Sequence, residues 1–112
     1  MGYKLSLAMF FEIKMPNKKE IEIYEDDLRM IYGNDYKLFK EKIIPNCYCK
    51  NCNSHYQSII VNYKIFLNDL NDIILKGFCE KCGSLVNRYV ETGEVEEYQE
   101  RIEKVRIKNT IN

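Results

Sequence analysis

Five cysteines cluster in the middle of the chain: Cys47, Cys49, Cys52, Cys79 and Cys82. Four of them form two C-x2-C pairs, Cys49-Lys50-Asn51-Cys52 and Cys79-Glu80-Lys81-Cys82. Two intervening residues let a tight turn aim both sulfurs at one tetrahedral centre, with metal–sulfur distances of roughly 2.3 Å. Asn53 and Gly83 directly follow the two pairs, and both residue types tolerate the positive φ that such turns use. In a reducing compartment clustered cysteines point to metal rather than disulfides, and an odd number fits disulfides poorly. The chemistry these residues imply is metal binding through thiolates.

Other chemistries find less support. A redox C-x2-C needs a thioredoxin-like β-α-β context, and none is visible. A catalytic metal needs an open coordination position and a general base nearby, whereas four thiolates close the shell. The His-x-Glu that precedes C-x2-C in deaminases is missing. His55 is the one histidine and has no identifiable partner for base catalysis, and no glycine-rich phosphate loop occurs. The chain reads as a non-enzyme. Cys47, which makes C-x-C-x2-C, and His55 are possible substitute ligands that the sequence reads as bystanders.

Two pairs so far apart need elements to bring them together. The intervening stretch, residues 53–78, holds 26 residues, enough for two antiparallel strands and their turn. Ile59, Val61, Tyr63 and Ile65 alternate within Tyr56–Leu67, which predicts a strand. Asn68–Asp72 is turn chemistry, and Ile73–Phe78 leads into the second pair. Ser84–Glu91 alternates again, with Leu85, Asn87 and Tyr89 opposite Val86, Arg88 and Val90. A CKNC knuckle, a hairpin, then GFCEKCGS and a third strand resemble the zinc ribbon over residues 46–92. That resemblance implies one zinc ion per chain held by Cys49, Cys52, Cys79 and Cys82. It does not by itself assign a function, because ribbons serve nucleic-acid binding, protein docking and plain stability.

The flanks carry their own patterns. Residues 3–15 alternate between an apolar row from Tyr3 to Met15 and a more polar one, a half-buried strand. Pro16-Asn17-Lys18-Lys19 is a turn, and Glu20–Tyr24 returns as the second strand of a hairpin. Asp26 or Asp27 is placed to cap a short helix over Leu28–Tyr32, ended at Gly33-Asn34. Asp35 is placed to cap a second helix with Tyr36, Phe39 and Ile43 on one face, closed by Pro45. Residues 94–107 carry the stripe Val95, Tyr98, Ile102 and Val105, an amphipathic helix. The expected fold class is α+β: a three-stranded antiparallel ribbon with an N-terminal β-hairpin, short helices and a C-terminal helix. The segments are 1–45, 46–93 and 94–112, sharing one core.

Composition sets the outer bounds. Seventeen basic and 17 acidic residues cancel, which argues against a generic polycation on nucleic acid or an anionic membrane. The basic excess is local: residues 37–64 hold five lysines and one glutamate. No segment reaches the ~18 apolar residues that span a bilayer, so the expectation is a cytoplasmic chain without a membrane partner. Two binding readings compete. A nucleic-acid face would use Tyr48, Lys50, Tyr56, Lys64 and Arg88, rings stacking on unpaired bases while cations follow phosphates. The same tyrosines also serve as ordinary cross-strand or core residues. A protein-interaction module, an adaptor, subunit or inhibitor of a larger machine, would use the N-terminal hairpin or the C-terminal helix. An exposed hairpin edge also offers a route to a homodimer.

Overall fold

Alternating β-branched and aromatic residues after the first cysteine pair form an antiparallel meander in the computed structural model, which describes residues 20–53 and 57–110. The expected strand at 3–15, the turn at 16–19, His55 and Tyr56 lie outside the described residues. Strands β2 (Ile60–Leu67), β3 (Ile73–Cys79) and β4 (Leu85–Val90) pair in sequence. The β2–β3 turn is built on Asn68, whose side-chain oxygen accepts the backbone N–H groups of Leu70 and Asp72, each at 2.9 Å. Asn71 takes the positive φ of that turn, +65°.

Among the described residues the sheet has four strands, where the ribbon by itself would have three. Strand β1 (Ile21–Ile23) pairs antiparallel with β2, in the register Ile21–Leu67 and Ile23–Ile65, giving the order β1-β2-β3-β4. The segment Glu20–Tyr24, expected as the return strand of an N-terminal hairpin, thus extends the cysteine-bearing sheet. Its two isoleucines fall on the same face as Leu67 and Ile65, so this pairing keeps one apolar face continuous.

Strand β2 also departs from simple alternation. Its register with β3 shifts between Val61 and Lys64, and Asn62 sits at φ +51°. The extra residue of a β-bulge reverses which side chains face the core. Ile60 and Ile65 are therefore both buried although five positions apart, while Ile59 is exposed. The row Ile59–Val61–Tyr63–Ile65 expected on one face is split. Gly77 makes the bulge sterically feasible, because a Cβ there would lie 2.7 Å from the Val61 carbonyl oxygen and 2.8 Å from Tyr63 Cβ.

Two main helices cover one face of the sheet. Helix α1 (Glu25–Tyr32) starts after Tyr24, and Asp27 reaches back to accept the Tyr24 N–H at 2.8 Å. Asp27 is thus the third residue of the helix, not the residue preceding it, and three acidic residues in the first turn suit the helix dipole. The chain turns at Gly33 (φ +55°) into a 3-10 turn (Gly33–Asp35), one α turn, α2 (Tyr36–Leu38), and a π turn (Phe39–Ile43). Asp35 makes no side-chain cap; its carboxylate accepts the Tyr98 hydroxyl at 2.9 Å. Phe39 is buried, with Tyr36 and Ile43 packed beside the core.

After β4, two 3-10 turns (Thr92–Glu94 and Glu96–Tyr98) precede helix α3 (Gln99–Thr110), so the regular helix begins later than the expected residue 94. Tyr98, Ile102 and Val105 are buried as one row, and Val95 packs at its edge. Asp27 ties the helices together. Fully buried, its carboxylate accepts from Lys108 Nζ and, at 3.3 Å, from Asn109 Nδ2. Arg101 donates to the Ile31 carbonyl at 2.6 Å, satisfying a carbonyl at the end of α1. One apolar cluster runs from Ile23 through Leu28, Ile65 and Leu75 to Val105, and it includes Cys47, Cys49 and Cys79. No helix among the described residues is long and apolar enough to cross a membrane.

Candidate metal centre

Strand register is what brings the two cysteine pairs together. Cys79 ends β3 opposite Ile60, the first residue of β2. Just upstream, Cys47 and Ser58 exchange backbone hydrogen bonds of 2.9 Å in both directions, closing the loop that carries the first pair. Glu80 N–H donates to the Ile59 carbonyl at 2.9 Å, fastening the second pair to the same loop. Within the second knuckle, Gly83 N–H donates to the Cys79 carbonyl at 2.8 Å, and Gly83 takes φ +79°. In the first, Asn53 N–H donates to the Lys50 carbonyl at 3.2 Å, and Asn53 takes φ +51°. Both residues play the turn role their positions predict.

The sulfurs of Cys49, Cys52, Cys79 and Cys82 all lie within 4.8 Å of one another. Across the pairs, Cys49 and Cys82 Sγ are 3.5 Å apart and Cys52 and Cys79 Sγ are 3.9 Å apart. A disulfide needs about 2.05 Å, so these are thiols. A tetrahedron with 2.3 Å metal–sulfur bonds has sulfur–sulfur edges of about 3.8 Å. The observed separations bracket that value. The four residues fit a tetrahedral metal ion as they stand.

The electrostatics favour the same conclusion. Four sulfurs this close cannot all ionise without a cation between them. Hydrogen bonding to Cys82 and the neighbouring thiols, with burial, pushes Cys52 up to about 12. Donors around the site oppose this. The Ser84 side chain, then Asn51, bring Cys82 down to about 5. Cys79 is lowered by backbone hydrogen bonding at Cys82, despite burial. A bound divalent ion stabilises every thiolate at once and removes the conflict. Cys49 and Cys79 are buried, Cys52 is half-buried and Cys82 is exposed, so the centre sits at the end of the sheet with one edge towards solvent.

Cys47 is outside this group. Its sulfur is fully buried in the core and points at the Ile43 and Ile44 carbonyls, at 3.4 and 3.6 Å. Burial holds its thiol protonated, above the usual range. His55, the other substitute ligand considered, lies outside the described residues.

The residues expected to form a nucleic-acid face are divided. Tyr48 is 41 % exposed and Lys50 exposed, both beside the first knuckle. Lys64 is exposed and pairs with Lys76, whereas Arg88 pairs with Leu75, a core residue. Lys64 and Arg88 thus lie on opposite faces of the sheet, Arg88 on the helix-covered side. Tyr56 lies outside the described residues. The face that carries Lys64 also carries Tyr89 (58 % exposed), which the third-strand pattern offers to such a face, and two side chains that the pattern does not single out, Phe78 (40 %) directly opposite Leu85 (76 %). Phe66 and Ile74 on this face are buried, and the Lys76 ammonium sits 4.7 Å over the Phe66 ring. A continuous run such as Ile73–Phe78 hides the partition, since both faces of β3 carry apolar residues and periodicity alone cannot rank them.

No family model, no curated protein and no solved structure matches this chain.

Proposed function

We propose that the chain is a non-catalytic binding module, a zinc-ribbon-like sheet closed by one structural zinc ion, and that the exposed part of the sheet face carrying Lys64 binds single-stranded nucleic acid. Zinc follows from the donor set: four soft thiolates in tetrahedral array suit Zn²⁺, and a filled shell leaves no position for substrate or water. The observation that carries the binding face is the exposed group Phe78, Leu85 and Tyr89 beside Lys64. Flat rings on a sheet stack with unpaired bases at about 1–3 kcal/mol each, and nearby lysines follow the phosphates.

The test is direct. The purified chain is assayed for metal content, then titrated with a short single-stranded oligonucleotide at several salt concentrations. We expect one zinc per chain. With Lys64 of β2 and the exposed lysines of the two knuckles, Lys50 and Lys81, as phosphate contacts, the log-log salt slope is expected near −2, at about −0.7 per contact. Clean protein with one zinc and no salt-sensitive binding would remove the nucleic-acid half of this reading and leave the metal half intact.

A second reading is supported by Leu85. An aliphatic side chain 76 % exposed beside Phe78, on a chain of zero formal charge, also suits a protein partner's apolar surface. A partner retained after nuclease treatment, and lost in Leu85→Glu, would favour protein docking through the same face.

A further inference from the structure

Away from the metal centre, about 16 Å along β4 from the knuckle end at ~3.3 Å per residue, the structure holds a concavity. It has a volume of about 310 Å³ and lies between the helical segment after α1, the end of β4 and the 3-10 turns that follow. That volume is at the small end of the range typical of ligand sites, roughly 300–1,000 Å³. Three rings build one side of it. Tyr32 lies 5.0 Å from Phe39 between centroids and meets Tyr98 nearly edge-on at 5.3 Å. Leu38, Val90 and Val95 supply aliphatic wall.

Two features mark this cavity as more than a packing gap. The first is the Tyr32 hydroxyl, which is buried and has no hydrogen-bond partner among the described residues. Burial and the neighbouring Tyr98 hydroxyl raise its pKa against the opposing charge of Arg88, so it is a neutral donor. A buried hydroxyl without a partner is costly, and native structures seldom leave one so. The second is the charge at the cavity's rim. Asp35 and the exposed Glu91 outnumber the exposed Lys42 there. Asp35 is fixed in place by the Tyr98 hydroxyl at 2.9 Å. This rim disfavours an anion and offers carboxylate acceptors to an N–H group.

We propose that this cavity binds a small, neutral, planar ring carrying an amide-type carbonyl and N–H, the carbonyl accepting from Tyr32 and the N–H donating to the acidic rim. The ring packs against aromatic and aliphatic wall, and its amide supplies both the acceptor and the donor that the site lacks. The site is separate from the cysteine cluster and does not rest on the nucleic-acid reading.

Benzamide is the probe, with benzoate as its anionic counterpart, each titrated into the metal-loaded full chain and followed by amide-resolved NMR. A fragment of this size is expected to bind in the millimolar range. The expected shifts concentrate at Leu38, Phe39, Val90 and Val95, and benzoate is expected at least about tenfold weaker. Tyr32→Phe keeps the ring and removes the hydroxyl. It is expected to weaken benzamide about fivefold to tenfold, the effect of one hydrogen bond, while raising the melting temperature. A residue with only a structural role would not move those two readouts in opposite directions. Leu38→Trp, at an exposed position on the wall, is expected to abolish the shifts without unfolding the chain. Shifts absent or scattered at millimolar benzamide, benzoate binding equally well, or unchanged affinity in Tyr32→Phe would each overturn the proposal.

Discussion

At the residue scale, three side chains carry most of what can be tested. Loss of one thiolate from the proposed zinc shell removes a ligand from an ion whose binding contributes an apparent ~10–16 kcal/mol in small zinc domains. Ordinary net stability is about 5–15 kcal/mol, so Cys79→Ser is expected to unfold at least the sheet end that carries the knuckles. Circular dichroism with metal analysis checks this; a zinc-free variant that melts normally would refute the structural role. Asp27 is fully buried and holds the Tyr24 N–H, Lys108 and Asn109. Asp27→Ala strands the Tyr24 amide and unpairs α3, with an expected loss of about 2–3 kcal/mol in denaturant titration. Lys108 is half exposed and can return to water, which limits the cost. Tyr32→Phe runs the other way. Deleting a buried hydroxyl with no partner is expected to stabilise the ligand-free chain by about 1 kcal/mol.

At the element scale, the β2–β3 hairpin turns on a bulge that no alternation pattern announces. Asn62 at positive φ reverses the faces of β2, and Gly77 leaves room for the backbone that bulges towards it. Gly77→Ala puts a methyl group within 3 Å of the Val61 carbonyl and the Tyr63 Cα and Cβ atoms. Nothing there is the flexible end of a side chain, so strands must part, and the expected cost is about 2–3 kcal/mol. Because Ile60 opposite Cys79 sets the approach of the two knuckles, the same variant is expected to bind metal more weakly in a chelator competition. Wild-type metal affinity in Gly77→Ala would show that the bulge does not set the site.

At the scale of the whole molecule, one apolar core joins helices, sheet and three of the cysteines. Metal removal is therefore expected to loosen α1 and α3 as well as the knuckles, visible as a single cooperative transition with or without chelator, shifted to lower temperature when chelator is present. Two separate transitions would show that the helices fold independently of the centre. The exposed side chains on the Lys64 face of the sheet give the remaining expectation. Phe78→Ala with Tyr89→Ala is expected to reduce oligonucleotide affinity by about 2–6 kcal/mol at two stacked rings, with no change in bound metal, because both side chains lie on the face away from the core.

The residue types and spacing alone determined the four thiols and their two turns. C-x2-C followed by Asn53 or Gly83 is local chemistry, and local chemistry is legible in a single chain. The three strands and the apolar row Tyr98–Ile102–Val105 were legible for the same reason, since each depends on periodicity within a short window. Pairing of Ile21–Ile23 onto β2 was not, because a short amphipathic strand matches any complementary edge and only packing chooses among them. The role of Asp27 as a buried link, beyond its capping bond to the Tyr24 N–H, depends on Lys108, 81 residues later. Likewise the splitting of Lys64 from Arg88 needed the bulge and the register. Tertiary structure decided those points, since each depends on which distant residues share a face and which water reaches.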